Sequence, residues 1–270
     1  MIKLIEDANK IVIKIGSSFL VDPKSGVVQQ AWVDSLVDDV VKLITNGKKV
    51  IIVSSGAIAL GCDILEVNAT KIKLQEKQCA AVCGQHEMMA IYKNSFARYK
   101  INTAQALLTI EDVENRKRFV SIKNIIDYLL DNNIVPIVNE NDLIANTEIR
   151  FGDNDRLSAR VAQIVNADLL IMLSLVDGLF TADPKIHRNS QFVSEIYEIS
   201  PDVEAMATDS QNKTGGMSAK IASAKIALSN HCNILISNGN CINPIKNIIE
   251  GARCSKFIID TSATKKYKIG

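Results

Sequence analysis

A chain of 270 residues with 47% hydrophobic and 23% charged residues is long and apolar enough to bury the core of one large α/β domain or two small ones, which excludes a disordered or fibrous protein. Its net charge of +1 argues against a nucleic-acid partner, since the basic cluster Lys265-Lys266-Tyr267-Lys268 sits at the C-terminal end and reads as a solvated tail. No apolar stretch approaches the roughly 20 residues of a membrane-spanning helix, and Glu6 and Asp7 fall where a signal peptide would carry its apolar core, so a cytoplasmic protein with no membrane contact is expected.

In chain order, apolar runs and helical periods predict a strand over 10–15, a helix over 30–45, a strand over 49–53, a helix over 71–99, a strand over 102–108 and a helix over 118–131. The pattern continues with a strand over 134–138, a helix over 155–166, a strand over 168–173, a helix over 217–230 and a strand over 233–236. Such alternation marks βαβ units and a mostly parallel sheet. Asn46 and Gly47 suit the end of the first helix, and Asp155 is expected to cap the helix it opens. Pro136 lacks the donor that a central strand uses, so it belongs near its strand's start or at a bulge. No repeat or low-complexity linker marks a boundary, which predicts one domain over 1–260 with a soft division near 165, then a tail over 261–270. The six cysteines (Cys62, Cys79, Cys83, Cys232, Cys241, Cys254) form no C-x-x-C, against a disulfide framework or zinc site, and Cys79 and Cys83 read as core thiols rather than ligands.

Chemistry concentrates at strand ends. Asn139-Glu140-Asn141-Asp142 follows the strand over 134–138, and Gly152-Asp153-Asn154-Asp155 comes soon after. Amides and carboxylates beyond the carboxyl end of a parallel strand suit a small, polar, multiply hydrogen-bonding ligand. Lys14 ends the first strand just before Gly16, where the backbone can approach a ligand closely; a solvated strand-end lysine is the other reading. Val53-Ser54-Ser55-Gly56-Ala57-Ile58-Ala59-Leu60-Gly61 makes a second turn, with small residues at a strand-to-helix junction whose N–H groups suit an anion. Gly56 and Gly61 have P-loop spacing, but Cys62-Asp63 stands where a Walker A motif needs Lys-Ser/Thr, and a plain turn remains open. Thr214-Gly215-Gly216-Met217-Ser218-Ala219-Lys220 opens a helix, offering backbone donors and a lysine to a phosphate; a flexible linker with a surface lysine is the alternative.

Together these parts suit phosphoryl transfer, which needs cations on developing charge and rigid positioning more than covalent help. Lys14 and Lys220 supply cations, and Asp155 can hold both or touch Mg²⁺. A carboxylate acceptor would need no base, because its reference pKa of about 4.3 leaves it ionised at neutral pH.

On these motifs, with Phe151-Gly152-Asp153-Asn154-Asp155 and the stretch Gly178-Leu179-Phe180-Thr181-Ala182-Asp183-Pro184, the chain resembles the amino acid kinase family. The resemblance implies a three-layer α/β/α sandwich with a mostly parallel central sheet. It implies ATP-dependent phosphorylation of the side-chain carboxylate of L-glutamate, the opening step of proline synthesis. By position it makes Lys14 and Lys220 the transition-state lysines and Asp155 their organiser. Ser55, Gly56, Asn139, Asp142 and Asn154 would serve glutamate. Lys14, Ser174, Leu175, Asp177 and the run Thr214, Gly215, Gly216, Met217, Ser218, Ala219 and Lys220 would serve the nucleotide, with Mg²⁺ carried by ATP rather than ligated by the protein. Proline as a feedback inhibitor, a homo-oligomer (dimer or tetramer) and a glutamyl phosphate reductase partner follow from the same likeness.

Two departures stand out. The family's Thr-Asp pair reads Ser174-Leu175, and Asp177, two residues on, is expected on the same strand face and placed to substitute; the change bears on ATP against GTP. The chain also ends where relatives begin a PUA domain, so a short, kinase-only form is expected. The alternatives are a same-fold kinase acting on acetylglutamate, aspartate, carbamate or UMP, and a non-catalytic amino-acid sensor. Asn139 to Asp142 suits a free amino acid rather than a nucleotide phosphate, and keeping two lysines on Asp155 would cost a pure sensor buried charge without return.

Overall fold

A computed structural model describes residues 2–68, 72–144, 153–207, 216–259 and 266–270 of the chain. In order, its elements begin with α1 (Ile2–Asp7), β1 (Lys10–Ile15), α2 (Ser17–Leu20), α3 (Gln30–Thr45), β2 (Lys49–Ser54), α4 (Ala57–Ile64) and α5 (Leu74–Ala97). Next come β3 (Asn102–Leu108), α6 (Ile110–Glu114), α7 (Arg116–Asp131), β4 (Ile134–Glu140), α8 (Asn154–Val165), β5 (Leu169–Ser174) and β6 (Leu179–Phe180). The rest are β7 (Phe192–Ile196), α9 (Pro201–Ala205), α10 (Met217–Leu228), β8 (Asn233–Asn238), α11 (Pro244–Ile249), β9 (Cys254–Phe257) and β10 (Tyr267–Ile269). The chain gathers into two compact units: Met1–Lys14, Gly152–Asn240 and Pro244–Gly270 make one, and Ile15–Phe151 with Cys241–Asn243 the other.

In the first unit β1, β5 and β8 run parallel, with Val12 opposite Leu170 and Met172 opposite Ile236. Ile11, Val12, Ile13, Leu170, Ile171 and Leu235 are all fully buried, because a parallel strand is covered on both faces and reads as an unbroken apolar run. The helices α8 and α10 pack on one another. Beyond β8 the strands are short: β9 is antiparallel to β8, β7 parallel to β9, and β6 and β10 antiparallel to β7. Their two to five residues mix serine, lysine and glutamate with apolar positions, which is why no apolar run announces them. Asp168, expected to open a strand, instead precedes β5 and clamps the start of β1. Its Oδ2 accepts the backbone N–H groups of Asn9 and Lys10, both at 2.8 Å.

In the second unit β4 lies between β2 and β3, all parallel, with Val138 opposite Val53 on one side and Ala106 on the other. The β2–β4 ladder aligns Ile52 with Ile137 and so begins one residue after Pro136, whereas the β3–β4 ladder runs through it, with Pro136 opposite Ala104. The helix expected over 30–45 is α3, followed by Gly47 at φ +80° with its N–H on the Ile44 carbonyl, the left-handed exit that glycine favours. The helix expected over 71–99 is α5; Lys71 lies outside the described residues. The strand-to-helix turn after β2 is shorter than its small residues suggest, since α4 starts at Ala57. Cys79 is exposed and Cys83 half-buried, correcting their reading as core thiols: α5 turns them away from its packed face.

That packed face depends on absent side chains. A Cβ on Gly84 of α5 would lie 1.8 Å from the Ala57 carbonyl oxygen, and one on Gly61 of α4 would lie 1.7 Å from the Ala80 carbonyl oxygen. The backbones of α4 and α5 therefore meet directly. Substituting Gly84→Ala must push a main chain aside, and overpacking of this kind costs about 1–3 kcal/mol. Urea unfolding followed by circular dichroism should show that loss as a lower midpoint at unchanged slope; an unshifted midpoint would mean the helices are free to separate.

Candidate active site

The first unit brings three charged side chains together in its interior. Lys14 is 8% exposed, Lys220 5% and Asp155 0%. Lys14 Nζ is 2.5 Å from Asp155 Oδ1, and Lys220 Nζ donates to Asp155 Oδ2 at 2.8 Å. Each oxygen of one carboxylate thus meets a separate ammonium. Isolated buried charges are too costly to persist, and here each charge has an opposite charge beside it. Burial alone would push the Asp155 carboxyl up; the ammoniums of Lys14 and Lys220 outweigh it and hold it below its ordinary value.

Three local structures deliver these groups. Lys14 stands at the carboxyl end of β1, and Lys220 lies in the first turn of α10, its N–H on the Gly216 carbonyl. Asp155 lies in the first turn of α8, but it is not the cap expected of it. The capping residue is Asp153, whose Oδ1 accepts the N–H groups of Asp155 at 2.7 Å and Arg156 at 3.0 Å. Two carboxylates two residues apart divide the work, Asp153 serving backbone donors and Asp155 serving lysines.

Asn154 is half-buried at the first position of α8. Ser174 ends β5, and Leu175 is 61% exposed just beyond it. Because the strand stops there, the alternation expected to place Asp177 on Leu175's face does not extend that far. Asp177 instead accepts from Asn238 Nδ2 at 3.1 Å and lies 3.8 Å from Arg253. Gly216, Met217, Ser218 and Ala219 lead into Lys220 at the start of α10; Gly152, Thr214 and Gly215 lie outside the described residues. No group of three metal-ligating side chains occurs among the described residues. One carboxylate facing two ammoniums suits a polyphosphate that brings its own cation better than a bare metal ion.

The second unit holds the other predicted residues. The β2–β4 register puts the ends of both strands side by side, so the Ser55-Gly56 turn and Asn139 fall at adjacent carboxyl ends. Gly56 has φ +120°, and a Cβ there would meet Leu20 Cδ2 at 2.8 Å, so glycine is required. The Ser55 N–H binds the Ile15 carbonyl at 3.1 Å. Asn139 is buried and donates through Nδ2 to Gln85 Oε1 at 2.9 Å. Asp142 is half-buried in the turn after β4. Gln85 escaped the sequence reading because a glutamine within a helical period carries no motif.

The sequence profile of the amino acid kinase family matches residues 9–238. Glutamate 5-kinase from Pelagibacter ubique is 47% identical over 98% of this chain and 73% of its own length. Glutamate 5-kinase from Paramagnetospirillum magneticum is 43% identical over 97% of this chain and 72% of its own length. Among solved structures, UMP kinase from Bacillus anthracis aligns with a TM-score of 0.66 at 15% identity, covering 97% of this chain and 99% of that one, a likeness of fold.

Removing the shared counter-charge should be severe, because breaking a buried ion pair costs about 3–5 kcal/mol. Asp155→Asn is therefore expected to unfold at much lower urea at neutral pH. The folded carboxyl titrates below its ordinary value of 3.8, so its stabilisation is complete above that pH and fades as acid passes through the lower folded value. The gap between wild type and variant should accordingly close on acidification; a gap independent of pH would contradict an ionised Asp155.

Proposed function

The chain belongs to the amino acid kinase family, and from that premise we propose that it transfers the γ-phosphoryl group of ATP to the side-chain carboxylate of L-glutamate, the first step of proline biosynthesis. The likeness to glutamate 5-kinases along nearly the whole of this chain carries the choice of acceptor, and the buried Lys14–Asp155–Lys220 cluster supports the chemistry. A carboxylate oxygen of glutamate attacks the γ-phosphorus, the bond to the β–γ bridging oxygen breaks, and ADP leaves with that electron pair. No proton moves, since both the acceptor and the leaving group are anions at neutral pH.

In this reading Lys14 and Lys220 lie against the transferring phosphoryl oxygens, where preorganised cations stabilise spreading charge without reorganising. Asp155 orients both ammoniums and takes no proton. Mg²⁺ bound to ATP would neutralise further phosphate charge. Ser174, Leu175, Asp177 and the segment from Thr214 to Lys220 serve the nucleotide, while Ser55, Gly56, Asn139, Asp142 and Asn154 hold glutamate, Asp142 taking its ammonium and the amides and hydroxyl its carboxylates. Leu175 offers the nucleotide no polar group, which makes ATP against GTP preference a property to measure. Proline competes for the glutamate residues, the chain acts as a homo-oligomer, and its acyl phosphate passes to a reductase. The six cysteines are all free, as in reducing compartments, which supports a cytoplasmic setting.

Hydroxylamine trapping with MgATP tests the acceptor: γ-glutamyl hydroxamate should form with L-glutamate and not with N-acetyl-L-glutamate, L-aspartate, carbamate or UMP. Turnover on another acceptor, or on none, would overturn the assignment. Lys220→Ala should lower kcat by about 10²–10³-fold, the usual loss of one transition-state donor, while glutamate still binds by calorimetry.

A further inference from the structure

The second unit contains a buried hydrogen-bond donor that nothing so far uses. Gln85 is 7% exposed, and its carboxamide is half satisfied. Oε1 accepts from Asn139 Nδ2 at 2.9 Å, whereas Nε2 is inaccessible and has no hydrogen-bond partner among the described residues. A buried amide nitrogen without an acceptor costs about 1–3 kcal/mol, and native proteins leave few such groups without a reason.

Its position supplies the reason. Gln85 follows Gly84, whose missing Cβ lets α5 rest on the Ala57 carbonyl, the first residue of α4 after the Ser55-Gly56 turn. Asn139, at the end of β4, fixes the other side of the amide. The donor is thus held where the β2 turn, the start of α4 and the end of β4 converge.

We propose that Gln85 is a substrate-contact residue whose Nε2 donates to the α-carboxylate of the amino-acid substrate. This rests on the glutamate reading above. The α-carboxylate is chosen because it shares a carbon with the ammonium, and the acid assigned to that ammonium, Asp142, lies three residues beyond Gln85's own partner. The amide reaches its acceptor only on binding, so it selects an α-amino acid over a plain amine and takes no part in moving the phosphoryl group.

The test measures steady-state kinetics of wild type, Gln85→Met and Gln85→Glu with L-glutamate and with 4-aminobutanoate, which lacks the α-carboxylate. One hydrogen bond to a charged group corresponds to about 10–100-fold. Gln85→Met should raise KM for glutamate by that factor, leave KM for ATP near wild type, and shrink the preference for glutamate over 4-aminobutanoate. Gln85→Glu sets like charges together and should bind glutamate more weakly than Gln85→Met. An unchanged glutamate KM in both variants, or tighter binding by Gln85→Glu, would overturn the contact. Should Gln85→Met not fold, the order of the two substrates in Gln85→Glu decides alone: an undiminished preference for glutamate refutes the proposal. If the wild type itself makes no glutamyl hydroxamate, it is the glutamate reading that fails.

Discussion

One carboxylate shared between two buried ammoniums organises the first unit. Asp155 has no exposure and Lys14 and Lys220 almost none, so none of the three charges can be accommodated without the others. Their meeting fixes how a strand and two helices must sit: β1 has to end where α8 begins, and α10 has to present its first turn to both. The cluster also carries more positive than negative charge in a water-poor setting, where Coulomb interactions are strongest. A fold that keeps such an excess has a place ready for an anion, and the stability of the unit depends on the same three side chains.

The second unit reaches rigidity by omission. Gly61 and Gly84 remove the atoms that would hold α4 and α5 apart, and Gly56 turns the chain through a conformation closed to other residues. Polar groups at the strand ends are then fixed by packing. Ser54 meets the buried Tyr92 hydroxyl at 2.9 Å, and Asn139 meets Gln85. Side chains locked before a ligand arrives lose little freedom on binding it.

Much of this was legible in the chain because chemistry there is tied to local signals. Lys14 and Asp155 follow or precede strong strand and helix patterns, and Lys220 follows a glycine pair, so their types and positions announced cations and an acid before any geometry was known. The parallel strands were equally plain, since burial on both faces leaves no polar alternation to interpret. What stayed hidden has tertiary causes. Asp153 and Asp155 are indistinguishable as capping residues until the lysines claim one of them. The short antiparallel strands draw their order from neighbours rather than from their own composition. Gln85 became visible only when its partner Asn139, 54 positions away, was placed beside it.

The clamp of Asp168 on Asn9 and Lys10 reaches beyond the few residues it touches. Side chains along a strand alternate between faces, so a slip of one residue in β1 would carry Lys14 to the opposite side and leave an isoleucine facing Asp155. β1 is otherwise a run of isoleucines and valine whose similar shapes do little to tell one register from the next. A carboxylate at the entry of the strand, gripping two successive amides, removes that ambiguity. The accuracy with which the Lys14 ammonium meets Asp155 is thereby decided at the far end of the strand that carries it.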